Sequence, residues 1–173
     1  MVESEEITSG VLPWTRSCLV CGESNTRGFR LKSRMEDGRV VLDYTTRETD
    51  LGWRHLVHGG IAMTLLDEVM TWAAIVALRR PCVAAEMTTR LRRPIRVGQA
   101  LRVQGEVTAR RSRLVTTGGV ILDEGGRALV TAAGKYVPMP SADEGTYTED
   151  FVAGQGAIDP GLLLRDHTPR RDP

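Results

Sequence analysis

The chain has 173 residues, 41% of them hydrophobic and 26% charged, with a formal net charge of +1. That is long enough for one domain with a buried core, and the near-neutral charge gives no general attraction to nucleic acid or to an anionic membrane. Three cysteines make no disulfide framework, and the acidic start MVESEEITSG lacks an apolar signal segment, so a reducing cytoplasm is the expected location.

Residues 1–17 read as a flexible N-terminal arm, tacked down at Pro13 and Trp14. Residues 18–28, CLVCGESNTRG, are punctuated like a loop. FRLKSRMEDGRVVLDYTT reads as two strands around an Asp37-Gly38 turn, and 47–57 as a loop. From Ile61 to Leu78 fourteen of eighteen residues are apolar, too long for a strand and closed by Pro81, so this segment is predicted to be a helix. Its length approaches that of a bilayer span, but Asp67 at its middle would cost about 2.5–3.5 kcal/mol there. Three or four alternating strands follow: CVAAEMTTRLRR, LRVQGEVTAR, RLVTTGGVIL and RALVTAAGKYV. Residues 139–173 carry seven acids and four prolines with little periodicity and read as a mostly disordered tail. A helix apolar almost all round must be buried almost all round. One curved antiparallel sheet wrapped around it achieves that, an α+β arrangement.

The four polar residues of the helix are Thr64, Asp67, Glu68 and Thr71. At 100° per residue they fall in one stripe about 100° wide. Such a stripe either faces solvent or faces a cleft in which a carboxylate of tuned basicity does chemistry. His58-Gly59-Gly60 precedes it. Side-chain-free backbone there exposes the first helical N–H groups at the positive end of the dipole, as an oxyanion site requires.

In combination these residues resemble the hotdog-fold acyl-CoA thioesterases, in the branch of the phenylacetate-pathway enzymes, over about residues 18–138. The specific part is HGGIAMTLLDE, with an acid nine residues after the histidine; CLVCGESNTRGFRL and LRRPIRVG also match. The resemblance implies a hotdog fold, Asp67 as the catalytic carboxylate, Gly60 N–H as the donor that polarises the thioester carbonyl, and a supporting hydroxyl at Thr71. Glu68, on the same stripe, is the reserve acid. Many members carry Asn or Gln in the loop before the histidine. Here TDLGWRHLV has neither, with Gly52 near that place and His55 as a substitute donor.

Gly60 and Asp67 are separated by about 10 Å of helix. A reacting carbon must lie roughly 3 Å from both, so one helix cannot supply the two groups. A two-fold homodimer that sets Gly60 of one subunit opposite Asp67 of the other is therefore expected, with a dimer of dimers as a further option.

Residues 79–113 hold ten arginines and two acids. Arginine pairs well with the phosphates of CoA. The turn at Arg111, Ser112 and Arg113, and then Arg92, are the candidate contacts; a solvated charged face explains any single arginine equally well. Nucleic-acid binding fits poorly, because no aromatic residues interleave with the arginines. Cys18 and Cys21 have metal-ligand spacing, but a structural zinc takes four ligands and Cys82 is the only other cysteine. No metal or cofactor is expected, and the loop is read as packing near the active-site entrance. Trp14, Trp53 and Trp72 are either pocket lining or plain packing. The rival to a thioesterase is a non-catalytic hotdog protein that binds acyl-CoA or another acyl ligand as a sensor or pathway accessory. A hydratase lacks a matching Asp/His pair.

Overall fold

The computed structural model describes residues 7–140, 148–152 and 154–164. In chain order it has β1 (Gly10–Val11), β2 (Trp14–Thr15), β3 (Arg34–Glu36), β4 (Arg39–Thr45), a 3-10 turn (Glu48–Asp50), β5 (Leu51–Trp53) and β6 (Leu56–Val57). The long helix α1 (Gly59–Leu78) follows, then β7 (Cys82–Leu91), β8 (Ala100–Arg111), β9 (Leu114–Leu122), β10 (Ala128–Pro138), β11 (Phe151–Val152) and a short helix, here α2 (Pro160–Leu163).

Seven strands form one antiparallel sheet in the order β1-β3-β4-β8-β9-β10-β7. The β3–β4 turn is the expected one: Asp37 and Gly38 both have positive φ, 48° and 75°, the conformation of a tight two-residue hairpin. The helix lies against the sheet because its apolar residues have nowhere else to go. Leu65, Leu66, Val69, Met70 and Ala74 are fully buried with Val103, Val115, Ile121 and Val130 from the strands. Close approach of helix to sheet is made possible by missing side chains. A Cβ on Gly105 of β8 would stand 2.7 Å from Val69 O, and one on Gly119 of β9 would stand 2.7 Å from Met70 Sδ. Arg79 ends the helix in the left-handed conformation, its N–H donating to Ile75 O at 2.7 Å, and Pro81 prevents continuation.

Three sequence expectations change. Residues 47–57 are not simply a loop: β5 and β6 pair antiparallel in a small hairpin, Leu51 with Val57 and Trp53 with Leu56. All of β5 is exposed, so it carries no alternation to read. The arm is built into the fold, with β1 paired to β3 and Leu12 fully buried. The described part of the tail, 148–152 and 154–164, is ordered as well. β11 pairs with β2, Ile158 N–H donates to Val11 O at 2.8 Å, and Leu163 is fully buried. Burying one leucine contributes about 1.5–3 kcal/mol, and Phe151, Ile158 and Leu163 are too far apart in sequence to show a period. Residues 1–6, 141–147, 153 and 165–173 of the arm and tail lie outside the described residues.

Candidate active site

The start of α1 is fixed from behind by Asp50. Its buried carboxylate accepts hydrogen bonds from the Tyr44 hydroxyl and from Arg47 N–H, and its backbone oxygen accepts from His58 N–H at 2.8 Å. His58 is then the N-cap, with extended φ and ψ of −63° and 132°, and its Nδ1 accepts from Gly60 N–H at 2.9 Å. Gly60 N–H, the expected oxyanion donor, is therefore already engaged. Gly59 N–H, one residue earlier, has no hydrogen-bond partner among the described residues. The open donor of this helix end is Gly59.

Gly52 explains the absent amide in the preceding loop. It packs so closely on His58 that a Cβ would stand 2.8 Å from His58 Cα and 3.1 Å from its Cβ. No side chain fits there without displacing the cap. His55, the substitute donor, sits exposed at the β5–β6 turn with φ of 63°, and its carbonyl accepts from Val97 N–H at 3.3 Å.

The polar stripe divides in two. Thr64, Asp67 and Thr71 are half-buried and share the open face of α1 with exposed Met63. Asp67 Oδ1 accepts from the Tyr136 hydroxyl at 2.9 Å and, at the 3.5 Å limit, from Thr71 Oγ1. Tyr136 is fully buried in β10 and was not singled out in the sequence. Its inward register was readable from the strand alternation, but not its partner. Burial, first, and then the Asp67 carboxylate push its phenol well above its usual range, so it stays a donor.

Glu68 turns inward, away from the reserve role assigned to it. Trp72 Nε1–H donates to its Oε1 at 2.9 Å, and the Cys18 thiol lies 3.8 Å from its Oε2. Burial, with Cys18 alongside, raises its pKa to about 7. A hydrogen bond from the Cys21 thiol, helped by the Cys21 and Val20 N–H groups, lowers Cys18 to about 5, and the same pairing raises Cys21. The 18–28 loop thus meets α1 at Glu68, about 100° round the helix from Asp67. The tryptophans do not converge on a pocket. Trp53 is 82% exposed, Trp72 is tied to Glu68 and packs on Phe151, and Trp14 pairs with Val152 beneath Lys32.

The arginines also separate. Gly59 lies against Leu91, so Arg92 sits at the end of the sheet that holds the helix start. Arg111, Ser112 and Arg113 form the exposed β8–β9 turn near Val115, whose partner is Tyr136, at the Asp67 end. Seven residues of β9 between those ends amount to roughly 23 Å. A cavity of about 640 Å3 is lined by Met35, Val40, Ala73, Val76, Val107 and Arg110, and includes neither Asp67 nor the helix start. Within one protomer the open Gly59 N–H and the Asp67 carboxylate are not brought together.

Residues 55–130 match the family model of the thioesterase superfamily. The fold is the hotdog fold. A solved thioesterase superfamily protein is 28% identical, with a TM-score of 0.64 over 70% of this chain; the match spans 60% of that protein's length. The E. coli PaaI protein from the phenylacetic acid degradation operon is 20% identical, with a TM-score of 0.59 over 64% of this chain and 80% of its own. A Streptococcus mutans protein solved bound to acetyl CoA is 15% identical, with a TM-score of 0.56 over 59% of this chain and 82% of its own. The last two likenesses concern the hotdog fold alone. No curated protein matches the chain.

Proposed function

We propose that the protein is an acyl-CoA thioesterase, working as a homodimer with hotdog sites at the subunit interface and no cofactor. The observation that carries this reading is Asp67: a half-buried carboxylate, held by Tyr136, on the open face of a helix whose first N–H is also open. The S. mutans neighbour bound to acetyl CoA supports the choice of ligand.

Gly59 and Asp67 are eight residues apart, about 12 Å along α1, too far for one thioester. Strand β7 supplies the means of joining two protomers. It is a ten-residue edge strand with no partner on its outer side among the described residues, and it exposes Val83 and Leu91. Paired antiparallel with its own copy about a two-fold axis, β7 brings its Leu91 end, beside Gly59, to the Val83 end of the partner, beside Asp67. The same operation carries Arg92 of one subunit toward the 111–113 turn of the other, so the separated arginines serve one CoA.

In this site Gly59 N–H, aided by the helix dipole, stabilises the oxyanion that forms as the thioester carbonyl is attacked. Asp67 takes the proton of the attacking water, or attacks the carbonyl itself to give a mixed anhydride that water then hydrolyses; by either route the C–S bond breaks and CoA leaves as the thiolate, which is protonated on release. Tyr136 and Thr71 orient the carboxylate. The test is thiol release from a panel of short, long and aromatic acyl-CoAs. Wild-type turnover is expected, with a loss of about 10²-fold or more in Asp67→Asn at unchanged folding. One observation favours the rival reading: Gly52 leaves no room for the amide that many thioesterases place before the histidine. Binding of the whole panel without turnover would establish an acyl-CoA sensor instead.

A further inference from the structure

The cluster of Cys18, Cys21 and Glu68 has no role in the proposed hydrolysis, yet it is built with care. Their ligand atoms all lie within 4.8 Å of one another, and Cys18 Sγ is 3.8 Å from Glu68 Oε2. A tetrahedral zinc with bonds of about 2.3 Å to sulfur and about 2.0 Å to oxygen sets sulfur and oxygen ligands roughly 3.5 Å apart, close to what is found. The loop around the cysteines is a tight knuckle. Val20 N–H donates to Cys18 Sγ at 3.2 Å, and Gly22 N–H donates to Cys18 O at 3.0 Å. A Cβ on Gly22 would stand 2.2 Å from that same oxygen, so the knuckle demands the glycine of Cys-x-x-Cys-Gly. Backbone N–H groups aimed at sulfur stabilise thiolate, the form that binds metal.

Glu68 is the second half of the argument. Trp72 holds Oε1 at 2.9 Å, which leaves Oε2 facing the sulfurs, the way outer partners orient a metal ligand. Only 8% of the residue is exposed. A buried carboxylate needs a counter-charge. The nearby cation, Lys32, is directed elsewhere, with Nζ donating to Cys21 O at 3.3 Å and lying 3.6 Å above the Trp14 ring.

We propose that Cys18, Cys21 and Glu68 bind one Zn2+, with water in the fourth position, and that this zinc clamps the 18–28 loop to α1. Two thiolates and a carboxylate give the anionic set that a divalent, thiophilic ion neutralises. Binding displaces the thiol protons into solvent. Cys18 is only half-buried, which gives the ion its way in. The clamp is separate from the thioester chemistry and stands whether or not the protein turns over acyl-CoA.

The test uses full-length protein, reduced, stripped with a chelator and titrated with Zn2+ against a chromophoric competitor. One equivalent per chain is expected, with proton release and a higher Tm. Co2+ in its place should show the visible bands of a tetrahedral site and thiolate charge-transfer absorption. Cys18→Ser and Cys21→Ser should lose that absorption. Glu68→Gln, which keeps the shape and the acceptor for Trp72, should weaken Zn2+ by at least the ~100-fold that loss of an outer partner can cost. Cys82→Ser should bind as wild type. Should Glu68→Gln fail to fold, the wild-type titration and the cysteine variants decide. Reduced wild-type protein that takes up no stoichiometric zinc overturns the proposal, as does zinc binding unchanged in Cys21→Ser. So does a protein whose cysteines form the Cys18–Cys21 disulfide in air and hold no metal when reduced; the pair is then a redox dithiol.

Discussion

Tyr136 shows how a single buried hydroxyl holds a half-buried carboxylate, here the one proposed to be catalytic. It donates to Asp67 Oδ1 from the floor of the sheet, while the Thr71 contact is at the distance limit. Tyr136→Phe should therefore lower kcat more than KM, and cost about 1 kcal/mol in urea unfolding for the lost hydrogen bond. Thr71→Val should cost less on both measures. An equal loss of kcat in the two variants would show that Tyr136 is not the principal anchor. The common face of Thr64, Asp67 and Thr71 was legible from helical spacing, whereas the choice of Asp67 over Glu68 came from the family resemblance. Glu68 was not read correctly, because a stripe drawn at 100° per residue treats every polar side chain in it as facing one way. Glu68 faces inward between Trp72, one turn on, and Cys18, fifty residues earlier in the chain. Helical periodicity has no term for a partner on a distant loop. Gly60, the donor that the resemblance implies, has its N–H engaged by the Nδ1 of His58 two residues earlier, a side-chain contact that a sequence pattern does not display.

The long elements were readable and the short ones were not. α1 followed from an apolar run with a proline stop, and β8 to β10 from alternation, since each buries enough side chains to impose a period, whereas β7 alternates in sequence although only Cys82 of it is buried in the protomer. β5, β6 and β11 are two or three residues long, and their pairing is decided by what they lie beside. Among the turns, that between β8 and β9 is the one with a proposed ligand. Its three exposed residues Arg111, Ser112 and Arg113 lie at the Asp67 end of the sheet. Arg113→Ala should raise KM for acyl-CoA more than for a thioester lacking the nucleotide, and the difference should shrink as salt screens the exposed charge. Equal effects on both substrates would remove this turn from the CoA site.

The whole molecule poses a question of reach, which a mixture of subunits answers. Gly59→Pro removes the proposed donor but suits the first helical position, and His58 already has the extended backbone that a following proline requires. It should be inactive and folded, as should Asp67→Asn. When the two are allowed to exchange, half of the dimers are mixed and each has one intact site, so about a quarter of wild-type activity should return. Confirmed exchange without recovery would mean that the two residues do not act across an interface. The two edges of the sheet differ sharply: β7 has ten residues, whereas β1 has two and is followed within two residues by Pro13. A strand edge recruits a neighbour in proportion to the backbone it leaves unpaired, and a short edge beside a proline recruits poorly. Once two copies have joined at β7, their sheets meet the outside only through their β1 ends. On the proposed pairing at β7, growth by strand addition would stop at two, and the edge that completes the proposed site would also keep the protein from becoming a fibre.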